Sequence, residues 1–257
     1  MDILLDTTIQ IDRITGTKQR QKAIKDVLAD RKVYSSTYVL GEYYATVVSD
    51  LVTLYALFLQ DKDIGETGKR ITEQVFARSQ SRVSKLYANI LAMCEFDVEE
   101  VEDTFQLYMD LIQDEFFLNL EGTLDGTKCV RGSRKIEYED NIPFLPEARC
   151  RKSEKICDIC PFWERARQEA EKLMGSQEID GKIRGILHSA KHSEQEYRGN
   201  NCKTLGDTVI SLEAKKSRHA LGICSSNKKD FQPICDAIGV ELAVPDYSRS
   251  QMPGSKL

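Results

Sequence analysis

The stretch DILLDTTI, residues 2–9, is a short apolar run that ends in an acid and two hydroxyl side chains. Its brevity predicts a buried strand rather than a helix. A second strand is predicted at 33–38, where VYSSTY is rich in β-branched and aromatic residues. Helical patterns separate these strands from two more, at 219–226 and 240–244. Strands that alternate with helices predict a parallel sheet with crossover connections.

The order of these patterns predicts a discontinuous α/β domain formed by residues 1–60 and 203–245. Residues 61–202 are predicted to be a helical insertion, which contains a loop-rich cysteine cluster at 129–160. The last residues, 246–257, are polar, and we expect them to be a frayed tail.

Composition excludes several classes of protein. The chain has 257 residues, of which 41% are hydrophobic and only 6 are proline, so wholesale disorder and collagen-like repeats are excluded. No run approaches the roughly 18 apolar residues of a membrane span, so we expect no membrane association. The N-terminal MDILLDTTIQ has no basic residue, and we therefore expect no export signal and a cytoplasmic protein.

The net charge of -5 hides an uneven distribution. Residues 95–125 hold eleven acidic residues and no lysine or arginine. The rest of the chain has 30 acidic against 36 basic residues and is mildly basic. A solvated helix face is the ordinary explanation of such an acidic segment, and a docking surface for a basic protein partner is the alternative.

Four acids fall at corresponding places in the α/β pieces. They are Asp6, Glu42, Asp207 and Asp230. Each follows a predicted strand or lies in the first turn of a predicted helix, so they are expected to meet at the carboxyl edge of the sheet, where ligands of such folds bind. Crowded carboxylates need cations to offset their repulsion, and oxygen ligands select Mg²⁺ or Mn²⁺. The predicted chemistry is hydrolysis of phosphodiester bonds by a metal-activated water.

The segments ILLDTT, SSTYVLGEYY, LGDTVISLEA and LGICSSNKKDF, in this order, resemble the four signature segments of the PIN-domain nucleases. The resemblance covers 1–60 and 203–245 and implies a PIN-like open parallel sheet flanked by helices, with the helical, Cys-rich, metal-binding insertion being atypical. It implies that the four acids hold one or two Mg²⁺ or Mn²⁺ ions, and that the substrate is RNA.

The same resemblance implies a secondary set of site residues, Thr7, Ser225 and Asn227. Two of them depart from the usual pattern, because Ser225 replaces a threonine and Asn227 an aspartate of many members. Two other functions remain open at this point. One is a non-catalytic PIN-like scaffold that binds nucleic acid or a protein partner, and the other is a structure-specific DNA nuclease.

Four of the eight cysteines follow the spacing C-x20-C-x6-C-x2-C, at Cys129, Cys150, Cys157 and Cys160. Four thiolates in a loop-rich stretch are typical of a Zn²⁺ site or a [4Fe–4S] cluster. Cys202 is an alternative fourth ligand, and His188 with His192 is an alternative pair for zinc.

Basic and aromatic residues near these motifs are candidates for contacts with nucleic acid. The basic ones are Lys128, Arg131, Arg134, Lys135, Arg149, Arg151, Lys152, Lys155, Lys215, Lys216, Arg218, Lys228 and Lys229. Tyr138 and Trp163 are candidates for stacking on bases.

Overall fold

A parallel β-sheet forms the centre of an α/β fold. The computed structural model describes residues 1–148, 150–153 and 155–248, with Arg78 described by its backbone alone. In chain order, the strands of these residues are β1 (Ile3–Leu5), β2 (Val33–Ser36), β3 (Gly122–Leu124), β4 (Glu137–Glu139), β5 (Ile142–Phe144), β6 (Gly222–Cys224) and β7 (Leu242–Ala243). Five of them form the main sheet in the order β3-β2-β1-β6-β7, and every pairing in it is parallel. β4 and β5 form a separate antiparallel hairpin.

Helices connect these strands. They are α1 (Thr7–Thr15), α2 (Lys18–Leu28), α3 (Thr37–Tyr43), α4 (Ser49–Asp61), α5 (Ile64–Gln74), α6 (Ala77–Met93), α7 (Val98–Glu115), α8 (Ile159–Arg165), α9 (Arg167–Gly175), α10 (Gly181–Ala190), α11 (Asn200–Thr204), α12 (Gly206–Lys216) and α13 (Lys228–Ile238). A π-helical turn, Tyr44–Val48, joins α3 to α4, and two 3₁₀ turns lie at Val130–Ser133 and Glu194–Tyr197. The prediction of an α/β protein with a parallel sheet and flanking helices is confirmed.

The order of the strands creates a switch point beside β1. The chain runs from β1 to β2 and β3 on one side, and later adds β6 and β7 on the other. In the registers of β1, Leu4 lies opposite Tyr34 of β2 and Ile223 of β6. Loops therefore leave β1 and β6 in opposite directions at the same sheet edge, and this divergence opens a crevice there.

The side chains of β1 alternate between the two faces of the sheet and are buried on both. Ile3 and Leu5 point to one face, where they pack with Ile9 of α1 and Ile24 of α2. Leu4 points to the opposite face and is also fully buried. Each such side chain contributes roughly 1.5–3 kcal/mol by leaving water, so the register of β1 is strongly determined.

The structure corrects several predicted boundaries. The strand predicted at 2–9 ends at Leu5, and Thr7 already begins α1, because Asp6 caps that helix with its side chain. Within the predicted helical insertion, residues 64–93 form two helices, α5 and α6. The insertion also contributes a strand of the main sheet, β3, which the sequence patterns do not predict.

The chain divides into two compact units. One contains Met1–Glu42, Asn119–Gly132 and Ala148–Leu257, and the other contains Tyr43–Leu118 and Ser133–Glu147. All the cysteines of the predicted cluster belong to the first unit, together with the main sheet. These units describe packing rather than independent folding, so the predicted domain division at 1–60, 61–202 and 203–245 stays a prediction.

None of the helices in the described residues combines the length and the apolar character that a bilayer crossing requires. Of the predicted tail, 246–257, the residues from 249 onward lie outside the described residues.

Candidate functional site

Asp6 lies at the carboxyl end of β1, at the switch point. Its backbone N–H donates to the Cys224 carbonyl at 3.0 Å, which ties the ends of β1 and β6 together. Its carboxylate accepts hydrogen bonds from the Thr7 backbone N–H at 2.6 Å, the Thr8 hydroxyl at 2.6 Å and the Ser225 hydroxyl at 2.8 Å. Burial raises the pKa of Asp6, and the bonds from Thr8 and Ser225 partly offset that rise.

Glu42 reaches the same place from α3. One carboxylate oxygen, Oε2, accepts a 2.6 Å hydrogen bond from the Thr7 hydroxyl. Burial raises the pKa of Glu42, and the negative charge of Asp6 raises it further, while Thr7 and the Arg131 guanidinium lower it. Thr7, predicted as a secondary site residue, therefore links the two acids through its backbone and its hydroxyl.

Asp207 lies in the first turn of α12 and faces the other acids. Burial raises its pKa to about 7, and the negative charges of Asp6, Glu42 and Asp230 add to the rise. The start of α12 lies very close to α3, since a Cβ added to Gly206 would be 2.9 Å from Oε1 of Glu42. Glycine at 206 is therefore what allows the two helices to bring their acids together.

Asp230, in the first turn of α13, is the most exposed of the four acids. Its Oδ2 accepts a 2.8 Å hydrogen bond from the Asn227 side-chain amide. The Asn227 backbone N–H donates in turn to the Ser225 hydroxyl at 3.0 Å. Ser225 and Asn227, the other predicted secondary residues, thus form a hydrogen-bonded chain from Asp6 to Asp230.

The four predicted acids therefore belong to one electrostatically coupled group at the carboxyl edge of the sheet. The donor set consists of oxygen atoms, which is the chemistry that Mg²⁺ and Mn²⁺ prefer. In the part of the chain that the structure describes, however, no group of three or more His, Cys, Asp or Glu side chains is arranged to hold a metal ion as it stands. The oxygens of Asp6 and Glu42 are instead turned toward hydroxyl and backbone donors.

A buried acid that the sequence analysis did not single out lies nearby on α12. Glu213 is 3% exposed, and burial raises its pKa to about 8, although the neighbouring polar groups of Ser36 and Thr127 act to lower it. It is therefore protonated near neutral pH and adds no charge to the coupled group. The signal in the sequence was an acid that interrupts the apolar face of TVISLEA, 208–214.

The cysteines lie in a different arrangement from the one predicted. Cys129, Cys150 and Cys157 line one small cavity, and the fourth thiol of that cavity is Cys202. Cys160 lines a separate cavity, where its thiol donates to the Glu194 carbonyl at 3.3 Å. Cys202 thus has the place in this cavity that the sequence spacing gave to Cys160, and the ligand set itself stays a prediction. His188 and His192 are exposed, and neither lines the cavity of the four thiols.

Two of the predicted nucleic-acid contacts are also wrong. Trp163 is 1% exposed and stacks on Tyr197 with ring centroids 4.9 Å apart, so it is not available to bases. Arg131 is buried, and its guanidinium lies over the Tyr38 ring at 4.8 Å. Tyr138 is exposed, whereas Arg149 lies outside the described residues.

Comparison with known proteins adds no relative. No family model, no curated protein and no solved structure matches this chain.

Proposed function

We propose that this protein is a Mg²⁺- or Mn²⁺-dependent nuclease of PIN-like architecture that hydrolyses phosphodiester bonds of RNA. The observation that carries the proposal is the coupling of four carboxylates from β1, α3, α12 and α13 at the switch point of a parallel sheet. Burial raises the pKa of Asp207, and the negative charges of the other three acids, Asp6, Glu42 and Asp230, raise it further. Clustered acids with perturbed pKa values are a mark of functional sites.

The acids have separate roles in this proposal. Asp6, Glu42, Asp207 and Asp230 would hold the cation, which when bound supplies Lewis-acid activation of water and of the phosphoryl group. Thr7 orients Glu42 through its hydroxyl, and Ser225 orients Asp6. Burial and the neighbouring charges raise the pKa of Asp207 to about 7, so this acid is partly protonated near neutral pH and would release its proton when a cation binds.

A groove beside the acids supports a polymeric substrate. A cavity of about 360 Å³ is lined by Asp207 and Asp230 together with Ile179 and Asp180, which immediately precede α10. Lys229 also lines it and is exposed. A lysine beside the carboxylates supplies a counter-charge for a phosphate of the backbone. Selection of RNA over DNA rests on the family resemblance.

The test is cleavage of an end-labelled single-stranded RNA by the full-length protein in Mg²⁺ or Mn²⁺. We expect cleavage that EDTA abolishes. Asp6→Asn keeps a helix-capping side chain and removes a charge, and it should lower the rate at least about 100-fold, as should Asp230→Asn. Asp236→Asn is the matched control, since Asp236 is an exposed acid on the same helix as Asp230.

Each outcome has a definite meaning. Full activity in both site variants, or activity that persists in EDTA, would remove the metal-dependent mechanism. Parallel reactions with single-stranded, duplex and branched DNA decide the substrate, because cleavage confined to a DNA structure would replace the RNA assignment with that of a structure-specific DNA nuclease.

A second candidate function, that of a non-catalytic scaffold, is favoured by one surface of the compact unit that contains Tyr43–Leu118. Large apolar side chains are exposed between residues 93 and 118, among the acids of the segment 95–125; they are Met93, Phe96, Val98, Leu107, Leu111, Phe117 and Leu118. Exposed apolar groups among like charges are typical of a protein-binding surface, here one for a basic partner. RNA binding without EDTA-sensitive cleavage would favour this candidate.

A further inference from the structure

Another cavity lies at the carboxyl edge of the sheet, at the end of β3. It has a volume of about 340 Å³, which is within the range of roughly 300–1,000 Å³ for sites that bind small molecules. The described residues that line it include none of the four proposed cation ligands. Its walls come from the end of β3, from α8 and from α12, and they include Leu124, Gly126, Phe162, Arg165, Glu213 and Lys216.

Glu213 is the unusual residue of this cavity. Its side chain is buried, and neither of its carboxyl oxygens has a hydrogen-bond partner among the described residues. The hydroxyl of Thr127, which is close enough to act on the pKa of Glu213, is also buried and unpartnered within those residues. Buried polar groups in native proteins are nearly always paired. The two groups therefore indicate a hydrogen-bonding partner that the chain itself does not supply.

The carboxyl group borders the cavity beside Gly126. A Cβ added at Gly126 would lie 3.3 Å from Oε1 of Glu213 and 3.4 Å from the Phe162 ring, and all three residues line the cavity. The missing side chain at Gly126 thus leaves room next to both an acid and an apolar ring. Phe162 is 3% exposed, so its ring is held by packing. A larger residue at position 126 would fill this space.

Two cations border the same cavity and are held in place. Lys216 Nζ lies 2.8 Å from Oε2 of Glu169, and Arg165 donates to the Gly126 carbonyl at 3.0 Å. Both cationic side chains are exposed to solvent. Asp125 is an exposed acid in the same lining. The cavity therefore combines a buried carboxyl group with exposed positive charge, which suits a ligand that has an uncharged end and an anionic end.

The carboxyl group of Glu213 selects an uncharged partner. Burial raises its pKa to about 8, and the charge of Asp125 adds to the rise, so the group is a neutral acid near pH 7. A neutral carboxyl group presents an O–H donor beside a carbonyl acceptor. Nucleobases carry the complementary pair, an acceptor beside an N–H donor, on a flat ring. An ammonium ligand is disfavoured, because Lys216 and Arg165 would repel it.

We propose that this cavity binds a nucleobase whose edge pairs with Glu213, and that Lys216 and Arg165 contact the attached phosphate. The base belongs either to a free nucleotide or to an RNA strand, since both present the same chemistry. Binding does not require cleavage of a strand, so it is independent of the proposed nuclease activity and is measured without a divalent cation.

The test is isothermal titration calorimetry of the full-length protein at pH 7 in EDTA. The probes are AMP, GMP, CMP and UMP, each alone, and a short RNA of mixed sequence. We expect saturable binding of at least one probe. Glu213→Leu should weaken that binding at least about tenfold, because it removes both hydrogen bonds, whereas Glu213→Gln keeps a donor and an acceptor and should retain the binding.

The phosphate contact has its own matched pair of variants. Lys216→Met should weaken binding of a nucleotide more than binding of the corresponding nucleoside, because only the nucleotide carries the phosphate. Lys215→Met is the control, since Lys215 is an exposed lysine on the same helix that does not line the cavity. Binding of a monophosphate identifies a free nucleotide as sufficient, and binding of RNA alone, with the same dependence on Glu213, assigns the base to a strand.

Three results would overturn the assignment. If neither the monophosphates nor the RNA bind, the buried groups are left to water. Equal binding by the unaltered protein and Glu213→Leu would place the ligand elsewhere. Equal loss in Glu213→Gln and Glu213→Leu would show that a charged carboxylate is needed. If circular dichroism shows that Glu213→Leu does not fold, Gly126→Val replaces it, since its side chain fills the same space and leaves the acid in place.

Discussion

At the scale of single residues, Asp207 contributes a definite part of how stability depends on pH. Its pKa is about 7 in the folded protein, whereas an aspartate in an unfolded chain has a pKa near 3.9. Between these values the folded state binds more protons than the unfolded state, so stability falls as pH rises through this window. Above pH 7 the charged, partly buried carboxylate destabilises the fold in full.

Asp207→Asn should therefore stabilise the protein at pH 8 in EDTA by about 1–2 kcal/mol, after allowance for partial exposure of the site. The gain should shrink toward pH 5, where the wild-type acid is mostly protonated. Chemical denaturation of both proteins at the two pH values measures the difference. Asp236→Asn should show no such pH dependence, because Asp236 is exposed. A gain for Asp207→Asn that is equal at both pH values would show that Asp207 titrates normally.

At the scale of helices, α12 approaches α3 closely at Gly206, whereas Gly185 in α10 has open space around it. Replacement of each glycine by alanine should therefore have opposite effects on stability. Gly206→Ala should destabilise the protein by about 1–3 kcal/mol, since the new methyl would lie 2.9 Å from a Glu42 oxygen and 3.3 Å from the Tyr38 hydroxyl. Gly185→Ala in α10 is the control, because no atom of the described residues beyond its chain neighbours and its own helix backbone lies within 4 Å of the new methyl. It should stabilise the helix by up to about 1 kcal/mol. Thermal melts of the two variants test the contrast, and equal effects would contradict it.

The cap of α7 is a second prediction at this scale. Asp97 is the N-cap and accepts a 3.0 Å hydrogen bond from the Glu99 backbone N–H. Asp97→Ala should cost about 1 kcal/mol, and Asp97→Asn should cost much less because asparagine also caps. Denaturation curves compare the two variants. Similar losses in both would mean that charge rather than capping stabilises this helix end.

Helices and strands were predictable from the sequence where neighbouring residues determine where they begin and end. Asp97 caps α7 and Gly239 ends α13 in the left-handed conformation, and both residue types mark a helix end through their own local chemistry. β3 was missed because Gly-Thr-Leu at 122–124 has no apolar run; it is a strand only because it pairs with β2. The strand predicted at 2–9 is too long, because Asp6 ends it by capping α1. The short apolar run that predicts the strand does not show where a helix cap falls.

At the scale of the whole molecule, the sites depend on contacts between distant segments. The grouping of Asp6 with Asp207 follows from parallel topology, since strand ends share one edge of the sheet, and sequence order was sufficient to predict it. The placement of Cys202, rather than Cys160, in one cavity with Cys129, Cys150 and Cys157 was not predictable by the same means. The two cysteines differ in which cavity their helices face, and the chelating spacing of Cys157 and Cys160 does not show which cavity each thiol lines.

The last prediction concerns stabilisation of the molecule by divalent cation, on the premise of the proposed nuclease site. An ion that binds the folded state alone raises stability by about 2.7 kcal/mol at 100 times its Kd, which is a rise of about 5–10 °C in Tm for a chain of this size. We expect Mn²⁺ to raise Tm and EDTA to reverse the rise. The rise should grow from pH 6 to pH 8, because Asp207, with its pKa of about 7, must lose its proton for a cation to bind.

The competing explanation is diffuse binding by the acidic segment 95–125, whose eleven acids also attract cations. The two explanations make different predictions. Diffuse binding is weakened by added KCl, does not depend on pH between 6 and 8, and is unchanged in Asp207→Asn and Asp230→Asn. Binding at the coupled acids is lost in both variants and retained in Asp236→Asn. A Tm rise of equal size in all four proteins would therefore place the cation outside the proposed site, because only the acids at the sheet edge distinguish these variants.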